Sequence, residues 1–306
     1  MQLTRVIVAA VLLCLMAQAE TVRGTPIRVS SIYLSPDTSS NKLADIDRGR
    51  EVVILEIASG WLHVEAALTE EKVITGWMLN KGVVQGSTPN GDKIVFGEAV
   101  DSEDQASQRH GRRGAAQDAM RLYYRTAEYF PNSPIAGEAM YRSADIRWQI
   151  DKADVMSRPS AKEKEAYLRE GMTEDFMKEV IKKFPGTKWA DLAAFHLIEN
   201  KLCGDWQGSS KCPDKEAEMY EKYVNEHPQS PAVVEALYDA AWRRAALIEM
   251  YKTEGQSKKS DESRGRAISL AQKAVTQGPQ SDWGTRAQLL LFMIEQNIPT
   301  YGNGVD

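Results

Sequence analysis

Hydrophobic residues follow two different rhythms along this chain. Between residues 27 and 84 they form short β-rich runs, IRVSSIYL, EVVILEIA, WLHVEAAL and VITGWML, divided by turn segments such as SPDTSSN and Ser59-Gly60. The alternation in Trp61-Leu62-His63-Val64 and the β-branched run Val52-Val53-Ile54-Leu55 predict strands, with Ser59-Gly60 as a tight turn between two of them. About five short strands packed into so little chain predict a small barrel. From residue 115 onward the spacing becomes helical, and the fold class expected is α+β and multidomain: a small β-barrel at 25–85, then an all-α array of helical hairpins at 115–300.

The helical half carries a repeated punctuation mark. YFPNSP at 129–134 returns as KFPGTK at 183–188, EHPQSP at 226–231 and QGPQSD at 277–282. With Pro131, Pro185, Pro228 and Pro279 aligned, Ser133, Thr187, Ser230 and Ser281 stand two residues on, suited to capping the next helix through a side-chain oxygen. Ala139, Ala193, Ala236 and Ala287 stand eight residues on. Tyr141, Phe195, Tyr238 and Leu289 stand ten on, and Ala144, Ile198, Ala241 and Phe292 thirteen on. Upstream, Tyr123, Met177, Tyr220 and Ala271 lie eight residues before, with Ala127, Ile181, Val224 and Val275 four before. These offsets describe one apolar face on each helix of a hairpin whose elbow is the proline motif. The recurring alanine lets two helix backbones approach while larger side chains fill the space around it. A hairpin of this kind cannot bury its face alone, so the units must stack.

Residues 86–114 fit neither rhythm. Five glycines, an acidic patch at Asp101 to Asp104 and a basic patch at Arg109 to Arg113 predict a linker, with Ile94-Val95-Phe96 as one short docked strand or turn.

Particular residues carry two family resemblances. Leu34-Ser35-Pro36, Leu43-Ala44-Asp45-Ile46, Arg48-Gly49, Glu51 to Leu55, Ser59-Gly60-Trp61-Leu62-His63-Val64 and Gly76-Trp77-Met78 together resemble a bacterial SH3 domain. The Asn-x-Arg usual before the turn is replaced here by Ser31-Ile32-Tyr33-Leu34. The resemblance implies a noncatalytic module of envelope proteins that engages cell-wall peptides or proteins. Tyr33, Trp61 and Trp77 are the candidate ligand-binding aromatics, since Tyr and Trp join a large apolar area to a polar tip; the alternative is that both tryptophans pack the barrel.

The elbows, with Tyr-Phe-Pro-x-Ser before Ala-x-x-Ala-x-Tyr, resemble exported tetratricopeptide repeats of the kind found in outer-membrane assembly lipoproteins and periplasmic cell-division coordinators. Gly278 replaces the aromatic of the last elbow, and the proline spacings of 54, 43 and 51 exceed the usual value of roughly 34. Insertions at 157–172, at the cysteine loop and at 253–265 account for the excess. Such arrays imply a concave surface made by the first helices of the hairpins, which binds extended peptides or partner helices. Tyr124, Trp148 and Trp242 fall off the main repeat positions and are candidate anchors there, with core packing as the alternative reading of each.

Composition then narrows the setting. In the 306-residue chain, residues 1–19 pair a basic MQLTR with the apolar VIVAAVLLCLMA and end in Ala17-Gln18-Ala19, the pattern of a signal peptide cleaved before Glu20. The expected location is periplasmic or secreted, with lipid anchoring at Cys14 disfavoured because Leu13 precedes it. No later run is long enough to span a bilayer, which takes roughly 20 apolar residues. Cleavage removes Arg5 and no acid, moving the formal charge from -5 to -6, which argues against nucleic acid as a partner. The two remaining cysteines, Cys203 and Cys212, share one Gly/Ser-rich loop, where an oxidising compartment makes them a disulfide; their spacing and the lack of a histidine in the loop argue against a metal.

His63, His110, His196 and His227 are scattered, and no HExxH, GxSxG or phosphate-loop motif occurs, so neither catalytic residues nor a cofactor are expected. The expectation is an exported, noncatalytic adaptor whose partner is an envelope protein or peptide, or peptidoglycan. The alternative is an accessory protein for a cell-wall hydrolase, its barrel holding the wall. An enzyme with an undetected carboxylate pair comes third.

Overall fold

The computed structural model describes residues 22–302 apart from 70 and 164. The expected leader with Cys14, and residues 303–306 of the C-terminal tail expected at 301–306, lie outside the described residues. The chain divides after Gly86 into two units, the first of strands and the second of helices, which makes it an α+β protein.

The first unit is an antiparallel sheet of seven strands: β1 (Arg23–Pro26), β2 (Ser30–Tyr33), β3 (Lys42–Ile46), β4 (Val52–Ala58), β5 (Trp61–Ala67), β6 (Val73–Leu79) and β7 (Val83–Gln85). Their order across the sheet is β3-β2-β6-β5-β4-β1-β7. Ser59 (φ 37°) and Gly60 (φ 86°) turn β4 into β5 with Ala58 paired to Trp61, the two-residue hairpin whose twist matches the strands on either side. Alternate residues point inward, and Ile32, Ile46, Val52, Ile54, Leu62, Val64, Ala66 and Met78 share one aliphatic core. Ile46 of β3 and Val52 of β4 meet there although three strands separate β3 from β4 in the sheet, so the sheet curls around its core. β1 and β7 were not expected: RGTP and VVQ are too short to show alternation, and β1 is held by pairing with β4 on one side and β7 on the other.

The second unit corrects the expected linker. Residues Gly91–Ser107 form a helix, α1, and the unit begins at Ser87 rather than at residue 115. Gly91 and Gly97 each cost a helix about 1 kcal/mol, which hides the periodicity. Tertiary burial prevails: Val95 and Ala99, one turn apart, are fully buried, and Phe96 meets Tyr123 edge-on at 5.3 Å. The Ser133 hydroxyl donates to Asp92 at 2.7 Å, tying the first elbow to α1.

The four expected hairpins follow: α2 (Ala115–Tyr129) with α3 (Ala136–Ser157), α4 (Asp175–Lys183) with α5 (Lys188–Glu199), α6 (Lys211–Glu226) with α7 (Val233–Thr253), and α8 (Ser257–Gln277) with α9 (Asp282–Glu295). The residue before each proline adopts one shared conformation: Phe130 (φ -127°, ψ 57°), Phe184 (-126°, 52°), His227 (-127°, 56°) and Gly278 (-136°, 58°). In each case its N–H donates to the carbonyl four residues back, closing the first helix while the following proline keeps the chain from continuing it. Thr187 and Ser281 cap the next helix as expected, accepting from the N–H of Ala190 at 3.4 Å and Gly284 at 3.0 Å. Ser133 and Ser230 do not: a second proline follows each, the chain makes one more tight turn, and the hydroxyls accept from Ile135 and Ala232 instead.

The repeat positions pack as their spacing requires. Ala139, Ala193, Ala236 and Ala287 are all fully buried. Ten residues past the elbow, each large side chain meets the following hairpin: Tyr141 stacks on Trp189 at 5.6 Å, Phe195 meets Tyr223 at 5.2 Å, and Tyr238 meets Trp283 at 5.5 Å. No hairpin follows α9 among the described residues, and Leu289 and Phe292 are accordingly exposed. No described helix is long and apolar enough to cross a membrane.

Candidate functional site: an aromatic face on the sheet and a cleft among the helices

Tyr33, Trp61 and Trp77 come together on the outer face of the sheet, with His63 completing the group. The aliphatic core leaves them no place inside: each alternates with buried Ile32, Leu62 or Met78 and so projects from the opposite face. Register sets the neighbours, since Tyr33 pairs with Trp77 and Trp77 with His63. The His63 and Trp77 rings stack at 4.8 Å with planes 24° apart, and Tyr33 meets Trp61 edge-on at 5.9 Å. Gly76 makes the arrangement sterically accessible. A Cβ there would stand 2.6 Å from both the Tyr33 carbonyl oxygen and Ile32 Cγ2, so only glycine lets β2 close onto β6 beside Trp77. All four rings are half-buried, and exposed Leu34 and Leu79 lie next to them in strand order or register. The alternative that both tryptophans fill the core is thereby corrected. His63 looks isolated in the sequence and joins the group only through the strand register, which sequence alone does not number.

The three aromatics expected to anchor a ligand in the helical unit do not meet. Trp148 is fully buried, its Nε1 donating to Glu199 Oε2 at 2.9 Å, so the anchor role expected of it is corrected to one in the core. Trp242 packs at 4.9 Å against Trp206 in the cluster around the cysteine loop. Tyr124 is half-buried beside Arg125 and Phe176 in a shallow hollow of about 170 Å³. Cys203 and Cys212 are disulfide-bonded, with Cα atoms 6.1 Å apart. Buried Glu216 organises that loop by accepting from the Cys203 N–H at 2.9 Å, Trp206 Nε1 at 3.2 Å and Arg243 Nε at 2.7 Å.

Other side chains do converge. A cleft of about 380 Å³ is bounded mainly by the second helices of three successive hairpins, α3, α5 and α7, rather than by the first helices. Tyr141, Phe195 and Tyr220 supply aromatic walls, and His196, Lys152, Glu199, Glu235 and Asp239 supply the charge-bearing groups. Burial pushes the Glu235 carboxyl up to about 7, with the negative charge of Asp239 adding to the effect and Arg286 opposing it. Burial also raises Asp239 against the pull of Arg243, and lowers His196 despite Asp145 and Glu199. The phenols of Tyr141 and Tyr220 are raised by the same desolvation.

Tyr141 Oη lies 3.2 Å from His196 Nε2, and Asp145 stands 3.4 Å from that same nitrogen. A relay requires the carboxylate on the other ring nitrogen, so this is not the geometry of an activated nucleophile. Among the described residues, the grouping of metal-type ligands is Glu165 with Cys203 and Cys212, whose sulfurs are bonded to each other. Glu235 and Asp239 were missed because they sit seven and eleven residues past Pro228, beside buried-face positions and one helical turn apart, where a solvated pair is the ordinary reading.

No family model and no curated protein matches this chain. Among solved structures it is similar to the DHF58 filament, at 15% identity and a TM-score of 0.23 over 67% of this chain and 91% of that one. It is likewise similar to the DHF119 filament, at 14% and 0.23 over 68% and 95%. The de novo designed helical repeat protein DHR64 matches at 13% and 0.23 over 68% and 92%. Likeness at these TM-scores carries no information about function.

Proposed function

We propose that this protein is an exported, noncatalytic adaptor, a bacterial SH3-like barrel followed by a tetratricopeptide-like array, that holds protein or peptide partners in the cell envelope. The observation that carries this reading is the aromatic face of the sheet. A unit of this size with an aliphatic core has no packing need for Tyr33, Trp61, His63 and Trp77 together on its outer surface. Aromatic rings held by one another lose little freedom on binding, which is why Tyr and Trp dominate the energetic centres of interfaces. The leader-like first 19 residues and the disulfide support an oxidising, exported setting.

The test is co-sedimentation of the full chain with purified peptidoglycan, and separately capture of envelope proteins, each repeated with Trp61→Ala/Trp77→Ala. Protein capture lost in the variant supports the adaptor. Pelleting with the wall lost in the variant moves the reading to a wall-targeting accessory protein. Binding that is unchanged in the variant refutes the aromatic face as the binding surface.

A further inference from the structure

We propose that the cleft among α3, α5 and α7 is a receptor for a cationic side chain, the ammonium of lysine or the guanidinium of arginine in an extended basic peptide, with Glu235 as its counter-ion. This rests on the adaptor reading above and names the chemistry of one partner.

The carboxylates lining the cleft are not equivalent. Glu199 accepts from Trp148 Nε1 and pairs with Lys152. Asp239 is held by Arg243 at 3.1 Å, and Arg243 lies over the Tyr220 ring at 4.5 Å. The Glu235 carboxylate makes no side-chain hydrogen bond or ion pair among the described residues, although it is half-buried in the cleft wall. Its charged and titratable surroundings are Asp239 on its own helix, Arg286 on α9, Tyr141 on α3 and Tyr220 and Tyr223 on α6; His196 and the Lys152–Glu199 pair share the same cleft.

An acid in the first turn of α7 has a ready structural explanation, because the helix dipole favours a negative charge there. That explanation calls for a stabilised carboxylate, whereas burial pushes Glu235 up to about 7. Desolvation and the negative charge of Asp239 work against that stabilisation, Arg286 offsets them only in part, and no described side chain hydrogen-bonds to the carboxylate or pairs with it within 4 Å. A cation supplies such a partner. The aromatic walls accommodate the aliphatic stem of lysine or arginine and attract its charged end through their π-faces. An anionic ligand would meet Glu235, Asp239 and Glu199, and an apolar one would leave Glu235 desolvated and unpaired.

The test is isothermal titration of the full chain with hexapeptides of the form Ac-Gly-Ser-X-Gly-Ser-Gly, where X is Lys, Arg, Gln or Glu, at pH 8 and pH 6. The proposal expects the Lys or Arg peptide to bind at least tenfold more tightly than the Gln or Glu peptide at pH 8. It also expects that affinity to fall about tenfold at pH 6, where a carboxyl titrating near 7 is mostly protonated. Glu235→Gln should remove both the preference and the pH dependence. Independently of any variant, the carboxyl carbon resonance of Glu235 should titrate at lower pH when the Lys peptide is bound. Equal binding of all four peptides, or a preference that survives Glu235→Gln, overturns the cation receptor and leaves the adaptor reading standing. Absence of binding by every peptide at millimolar concentration also overturns it, while the adaptor reading is then decided by the aromatic face of the other unit.

Discussion

Gly76 sits where β2 passes over β6, and the space a methyl group would need is already taken by the Tyr33 carbonyl and Ile32. Gly76→Ala should therefore separate the two strands, lowering the stability of the sheet unit by about 2 kcal/mol and disturbing the Tyr33–Trp77 neighbourhood. Thermal unfolding with tryptophan fluorescence as the readout checks this. Gly278 raises a similar question in the helical unit, where it stands in the place of an aromatic residue. A Cβ at 278 would meet Val234 Cγ1 at 2.9 Å and Ser281 Oγ at 2.7 Å, so the last elbow keeps the shared backbone shape with the side chain removed. Glu235 offers a pH-dependent case. Its folded pKa lies above its unfolded value, so relative to a neutral residue the wild type is penalised as pH rises through about 7, and below about 4 the penalty is absent. Glu235→Gln should accordingly stabilise the protein at pH 8, by about 1 kcal/mol after discounting for solvent screening of a half-exposed group, and change little at pH 4. Chemical denaturation at the two pH values measures the difference. Single residues were only partly legible in advance. Tyr33, Trp61 and Trp77 were identifiable from residue type, but which face each one takes depends on register, and Trp148 could not be assigned to the core without knowing that Glu199 of the next hairpin reaches its indole nitrogen.

At the scale of elements, the elbows were the most legible feature because proline acts locally. It fixes its own φ, restricts the residue before it and ends the helix, whatever the tertiary context. The caps after each elbow were legible only where no second proline intervenes, as at Thr187 and Ser281. Helix α1 was illegible for the converse reason: its glycines and polar composition weaken the local signal, and its stability comes from burying Val95 and Ala99, with Phe96 set against Tyr123. The loop before α6 illustrates stabilisation that no periodicity reveals. Glu216 and Arg243 are both buried and paired, and Glu216 also satisfies the Cys203 N–H and the Trp206 indole. Glu216→Ala leaves Arg243 with Asp239 as its remaining carboxylate, and should cost about 3 kcal/mol in equilibrium denaturation. Replacing Cys203 and Cys212 with serine removes a cross-link spanning a sequence separation of 9. By loop entropy that change should cost up to about 3 kcal/mol. Proteolysis should then cut first within residues 203–211.

At the scale of the whole molecule, the chain joins two units with different surface chemistry. The sheet presents rings on its outer face, and the helical array presents a cleft in which one carboxylate lacks a partner. The α+β division was legible from the change of apolar period, but the boundary at Gly86 was blurred by the glycine-bearing helix that follows it. The adaptor account rests most heavily on the sheet's aromatic face, and site-specific photo-crosslinking tests it most directly. A crosslinking residue would be placed in the full chain at Leu79, whose strand partner is Trp61, and as a control at Val29, an exposed position outside the aromatic group. The account predicts a discrete adduct with an envelope protein or peptide from Leu79, little from Val29, and loss of the Leu79 adduct on Trp61→Ala/Trp77→Ala. Equal adducts from the two positions, or a Leu79 adduct that persists in the double variant, would contradict it.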